Sequence, residues 1–266
     1  MQLTLLPGAR ELLEIHEREL PQRDDLCGAF CGSLALGAAG IVDRDGGQLD
    51  QDAVAIAAGS VVASDHGSLP HGETGRRDYR LAIPVIDDSD VSGTTAAGVQ
   101  RAIESLSEGS LLALPLAGPW SAGALDELFG QLSRYERPAS MIANVATHHL
   151  WGSHPSVSRL LAYLLDGEQQ GPEPDWKVGH FVVVVGRVEG PAGNLYAIAD
   201  TYPALGDRGV HLQPGERLAA ALERRDMPEG GMLVVVFEQD AERTRAAAAG
   251  LGLREAMWDN GTVVAA

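Results

Sequence analysis

Cysteine is scarce in this chain, with only Cys27 and Cys31 among 266 residues. A pair cannot build a disulfide scaffold, and a reducing cytoplasm is the expected location. Lysine is scarcer still: Lys177 is the one lysine, and the other basic residues are arginines. Together with abundant Ala and Gly, that reads as genome composition bias rather than function. Positive charge is short altogether, since 37 acidic residues against 20 basic ones leave a formal net charge of −17. Nucleic acid and anionic membrane surfaces are therefore excluded as partners, because neither finds a basic patch. No apolar run reaches the ~18 residues that mark a membrane-spanning helix. The first residues lack a basic leader and soon turn acidic, so no signal peptide is expected. No glycine-rich stretch continues into Gly-Lys-Ser or Gly-Lys-Thr, which excludes a phosphate-binding loop of that kind.

Hydrophobic residues make up 45% of the chain, enough for one large domain with a substantial core. The first part reads as helical. Apolar Leu12, Leu13, Ile15 and Leu20 on a charged background mark a helix over 8–19, which Pro21 ends. A second helix begins near 25–27 and runs to about 39. It is small or apolar at nearly every position, the pattern of a buried helix. A third spans 50–58. Residues 64–95 are rich in Gly, Ser, Asp and Pro and read as a long loop with a short strand at 80–86, placed where a lid or binding loop is often found. A helix over 95–107 follows. The second part alternates strand candidates (110–117, 138–146) with helices (121–135, 155–166), then carries three Val-rich or β-branched strands at 179–188, 194–202 and 231–239. A helix at 214–225 precedes the last of these, and another covers 240–251 ahead of a loose tail or arm. Helices segregated from antiparallel strands indicate an α+β fold. One domain over 1–266 is expected: a mainly helical part (1–108), a sheet-containing part (109–239), and a C-terminal helix and tail (240–266).

The two cysteines lie four residues apart in "LPQRDDLCGAFCGSLAL" but are not equivalent. Cys27 stands where a helix begins, and unpaired N–H groups with the helix dipole favour a thiolate there. Cys31 lies one turn inside and reads as a small core residue. Cys27 is the candidate nucleophile, and Gly28 beside it permits close approach. Such a nucleophile needs a base and an orienting group. His180 opens the strand "GHFVVVV", and a turn near 190–193 folds the next strand back upon it. That places Asp200 close to His180, whereas Asn194 falls at the far end of the hairpin. Gln22, in the approach to the cysteine helix, offers an amide that with the Cys27 N–H would hold an oxyanion. Trp176, four residues before His180, would shield the His180–Asp200 bond or simply pack. His149 and Trp151, in "NVATHHLWGSH", are candidates for the substrate cleft. Cysteine with His148, His149 or His154 is a rival zinc reading, without diagnostic spacing. No cofactor or metal is expected.

The stretches "QRDDLCGAFC", "GHFVVVVGRV" and "IADTYP" resemble, in order and in element type, the papain-like cysteine peptidase superfamily. In motif they are most similar to the bacterial double-glycine leader peptidase domains that process bacteriocin-type peptides. The resemblance implies a papain-like fold, a Cys27–His180–Asp200 triad, and Gln22 as oxyanion donor. It implies cleavage of a peptide or amide through a Cys27 thioester. The same acyl-enzyme would serve an acyltransferase or transpeptidase, and a non-catalytic papain-like domain would bind a peptide with the same residues. The chain departs from the motif at Leu26, where an acidic residue is usual, and after Asp200, where Thr-Tyr precede Pro203. Substrate identity and oligomeric state are left open.

Overall fold

The helices come early and the strands late. In the computed structural model, which describes residues 1–65 and 67–264, a short strand β1 (Gln2–Leu5) precedes α1 (Ala9–Glu19), α2 (Cys27–Ala38) and α3 (Gln51–Ala58). Two-residue strands β2 (Val62–Ala63) and β3 (Val85–Ile86) bracket the long loop, and α4 (Ala96–Leu106) closes the helical part. Then follow β4 (Leu111–Ala117), α5 (Ala122–Leu132), β5 (Ser140–Ala146), α6 (Val157–Asp166), β6 (Gly179–Glu189), β7 (Asn194–Ala199), β8 (Val210–Pro214), α7 (Gly215–Glu223), β9 (Gly231–Phe237), α8 (Glu238–Gly250) and β10 (Arg254–Glu255). His66, in the long loop, and Ala265 and Ala266, at the end of the tail, lie outside the described residues.

The large sheet runs β10-β4-β9-β5-β6-β7-β8, with β1 also on β6. Every pairing in it is antiparallel. Strand β6 is long enough to take two neighbours along one edge, β5 over residues 179–184 and β1 over 186–189. Its run Phe181–Val185 is buried throughout, as expected of a central strand. The architecture is α+β, with a large antiparallel sheet and, among the described residues, eight α-helices.

Helix α2 fills the space between sheet and helices, and its glycines let it do so. A Cβ on Gly28 would meet Val99 of α4 and Phe181 of β6 at 3.0 and 3.2 Å. One on Gly32 would meet Val54 of α3 at 3.0 Å, and one on Gly37 would meet Ile15 of α1 at 2.6 Å. Each glycine thus admits a different neighbour. Between them Phe30, Cys31, Leu34 and Leu36 are fully buried. Burial of an aromatic or branched side chain of that size contributes about 1.5–3 kcal/mol. Ser33, the one hydroxyl in α2, bonds back to Phe30 O at 2.8 Å and so needs no outside partner.

Three expectations change. The strand at 80–86 is reduced to β3, which pairs parallel with β2 and not with the large sheet. A five-residue strand, β8, lies where no strand was read, in a stretch where turn residues outnumber apolar ones. Of the two expectations for the C-terminal residues, a loose tail or an arm, the loose one does not hold, since the segment is packed down. β10 edges β4, Trp258 is buried, and Asn260 accepts from Ala96 N–H at 3.1 Å while donating to Thr94 O at 3.2 Å.

Candidate active site

Cys27 is the first residue of α2, and no side chain caps that helix end. The approach to it is fixed by the backbone and by two aspartates. Gln22 N–H donates to Thr201 O at 2.9 Å, which ties the approach to the chain just past β7. Asp24 Oδ1 accepts Arg76 N–H at 2.8 Å. Asp25 Oδ2 accepts Ala63 N–H at 2.7 Å, and burial pushes its pKa up against that bond. These carboxylates therefore bind β2 and the long loop to the mouth of α2, and residues of that loop form one wall of the cleft over Cys27. The cleft has a volume of ≈ 330 Å3 and is lined by Gln22, Cys27, Asn144, Trp176, His180, Tyr202 and Arg224, among others.

His180, the second residue of β6, faces Val145 of β5. Val183 pairs with Ala199, and the next residue of that chain, Asp200, reaches back to His180 with a Nε2–Oδ1 separation of 2.9 Å. This leaves His180 Nδ1 for the thiol: Cys27 and His180 line the same cleft, near enough for Cys27 to act on the His180 pKa. Burial works to lower the pKa of His180. Asp200, through charge and hydrogen bond, and Cys27 more weakly, outweigh it and raise it to about 10. Burial works to raise Asp200, but His180 and the hydrogen bond from His211 hold it well below the usual carboxylate range. Trp176 meets the His180 ring edge-on at 5.2 Å and Tyr202 stacks on it at 6.2 Å, so the bond to Asp200 is closed off from water.

Asp200 is held on every side. Oδ1 also takes Thr201 N–H at 2.7 Å, and Oδ2 takes His211 Nε2–H at 3.2 Å. The tautomer of His211 follows from its neighbour. Gln213 Oε1 accepts Trp151 N–H and Gln213 Nε2 donates to Trp151 O, both at 2.8 Å, so the amide orientation is fixed by backbone. The same Nε2 lies 3.0 Å from His211 Nδ1 and donates to it, which leaves the His211 proton on Nε2, facing Asp200. His16 of α1 donates from Nε2 to Asp200 O at 2.5 Å, and burial lowers its pKa, keeping it neutral.

Of the residues singled out from sequence, Gln22, Cys27, Trp176, His180 and Asp200 come together. Gln22 is buried, its Oε1 has no partner, and no described residue bonds its amide. Cys31 is fully buried, and burial raises its thiol pKa well above the ordinary value. His149 and Trp151 do not join the cleft. Trp151 is buried in a separate cluster with Tyr163, Leu164 and Leu195, because its indole finds apolar partners behind β8. His149 lines another depression, with Trp120 and Glu216. His148 and His149 instead share Asp226, at 2.8 and 3.1 Å. With Asp226 they are the one group among the described residues spaced to hold a metal ion, and Lys177 Nζ, 3.5 Å from Asp226, competes for that carboxylate. Neither cysteine belongs to it.

Sequence reading missed Tyr202, His211, Gln213 and Arg224. His-x-Gln puts both side chains on one face of a strand, a signal that was available once β8 was recognised. Arg224 carried no local signal.

No curated protein matches this sequence. A solved structure, the digestive procathepsin L 3 of Tenebrio molitor larval midgut, is 18% identical over 87% of this chain, with a TM-score of 0.28. The chain spans 60% of that precursor's length, and a likeness at this level carries no argument about fold or chemistry. A family model matches residues 6–259, and on that match the chain belongs to a family of unknown function, DUF6885.

Proposed function

We propose that this protein is a papain-like cysteine enzyme that cleaves a peptide or amide bond. The observation that carries the reading is Cys27 at an uncapped helix N-terminus, sharing one cleft with His180, an imidazole whose Nε2 is bonded to a buried carboxylate. In this reading His180 Nδ1 takes the thiol proton and the sulfur attacks the carbonyl carbon. The resulting oxyanion lies between the Cys27 N–H and the Gln22 amide. Collapse of that intermediate breaks the C–N bond, and His180 returns the proton to the leaving amine. Water, deprotonated by His180, then releases the acyl group from Cys27. Asp200 holds the imidazole in register and stabilises its charged form.

Transfer of the same acyl group to an amine is the second reading. It is favoured by the long loop, whose residues 67–69 wall the cleft and would limit water. The experiment is acylation with p-nitrophenyl acetate. The proposal expects a burst of one p-nitrophenolate per chain and an acetyl group mapped to Cys27. Discharge by buffer alone marks a hydrolase, and discharge only on adding amine marks a transferase. Absence of acetylation at Cys27 contradicts both.

A further inference from the structure

Arg224 is 3% exposed, yet it lines the cleft that holds Cys27 and His180. Among the described residues no carboxylate lies within ion-pair distance of its guanidinium. Of the five N–H groups an arginine carries, one has a partner there: Nη1 donates to Asn144 Oδ1 at 2.5 Å. Its Nε is buried with none. A buried cation without a counter-ion is costly, and nothing about this chain makes counter-ions scarce, with 37 carboxylate side chains available. The nearby carboxylates Asp24 and Asp25 are engaged instead with backbone N–H groups, of Arg76 in the long loop and of Ala63 in β2.

The position is also built at a cost. Arg224 adopts φ +43°, in the left-handed region that a residue other than glycine seldom occupies. Two glycines clear its path. A Cβ on Gly179 would lie 2.5 Å from Nη2, and one on Gly230 would lie 2.5 Å from Cδ. Asn144, which receives Nη1, is itself braced by Trp258 Nε1–H at 3.2 Å, so the packed tail supports the arrangement.

We propose that Arg224 determines specificity by receiving a carboxylate of the substrate bound at Cys27. This rests on Cys27 being the reactive thiol. A guanidinium is always charged and its planar fork matches a carboxylate, so a substrate of this class would supply the missing counter-ion on binding. The carboxylate is either a chain-terminal one or an Asp or Glu side chain.

The test compares two alkylating reagents of similar size on the full chain, anionic iodoacetate and neutral iodoacetamide. The ratio of their rates at Cys27 is read by peptide mapping and referred to the same ratio for free cysteine. A wild-type ratio about tenfold or more above the free-thiol value is expected, since a charge-assisted hydrogen bond is worth that factor. Arg224→Met should return the ratio to the free-thiol value, and Arg224→Lys should retain part of the excess. An effect of Arg224 on the thiolate alone would change both rates together and leave the ratio unmoved, which overturns the proposal. So does a wild-type ratio no higher than that of free cysteine. Slow reaction with both reagents removes the nucleophile reading and this inference with it, whereas fast iodoacetamide labelling with an unmoved ratio removes this inference alone. A measurement on the wild type guards against a misfolded variant: protection of Cys27 from iodoacetamide by N-acetylglycine, by N-acetylglutamic acid α-amide, and by N-acetylglycinamide. Protection by the first marks a terminal carboxylate and by the second a side-chain one. Protection by neither acid, or equally by the neutral amide, overturns the assignment.

Discussion

Arg23 and Arg224 are buried to nearly the same degree, 5% and 3% exposed, and the molecule treats them in opposite ways. Arg23, in the approach to α2, is neutralised. Its Nη1 lies 3.1 Å from Asp52, itself fully buried, and its Nε donates to Asp78 O at 2.9 Å. Asp52 in turn accepts Leu81 N–H at 3.1 Å, so the pair pins the long loop to α3. Arg224, in the cleft wall, has among the described residues one hydrogen-bond partner, the neutral amide of Asn144. The closed pair is scaffold, and the open cation is what a binding surface retains before its ligand arrives. The same division separates the two ends of the candidate site. Asp200 is bonded at both oxygens and through its backbone, while the amide of Gln22, which lines the cleft, is bonded by no described residue.

That contrast can be broken by measurement. Arg23→Met should strand the Asp52 carboxylate and lower stability by about 3–5 kcal/mol in urea unfolding, and Asp52→Leu in the same chain should restore much of it. His211→Phe removes the bond to Asp200 Oδ2 and leaves Gln213 Nε2 short of an acceptor. It should cost about 1–3 kcal/mol and slow Cys27 alkylation as well, since Asp200 loses its brace. Arg224→Met should be close to neutral or stabilising by about 1 kcal/mol, because it removes an unpaired buried charge. A loss comparable to that of Arg23→Met would show that Arg224 is scaffold after all.

Gln22→Ala sharpens the contrast further. Alkylation forms no oxyanion, so the rate with iodoacetamide should hold, while acylation by p-nitrophenyl acetate should fall about 100-fold or more. A smaller effect is expected from pH. The pKa of His180 is raised from 6.5 to about 10 on folding. Its contribution to stability is therefore fully present below pH 6.5 and is lost as pH rises towards 10. The gap in Tm between wild type and His180→Gln should narrow over that window, and a gap that widens there contradicts the assignment.

Much of this was legible in the sequence because the relevant signals are local. An apolar helix headed by cysteine, and a Val-rich hairpin with His at its open end and Asp just past its return strand, place three groups from period and turn alone. Trp151 misled because its position after a strand says nothing about which side of the sheet it packs on. The answer lay with Tyr163 and Leu195, distant in sequence. Arg224 could not be read either, since its burial depends on Gly179, Gly230, Asn144 and Trp258, spread over more than a hundred residues and meeting only in the fold. The packing of the tail could not be read for the same reason: Trp258 is buried in the main core, with its ring beside Gly231 of β9, and nothing in its local sequence points there.

The central claim is that His180 activates Cys27, and the rate of Cys27 alkylation by iodoacetamide at pH 6 tests it most directly. An ordinary thiol is less than about 1% ionised at that pH. The account predicts that wild type reacts about 100-fold or more faster than His180→Gln, with Cys31 unlabelled in both folded proteins. Equal rates at Cys27 in the two proteins would contradict it.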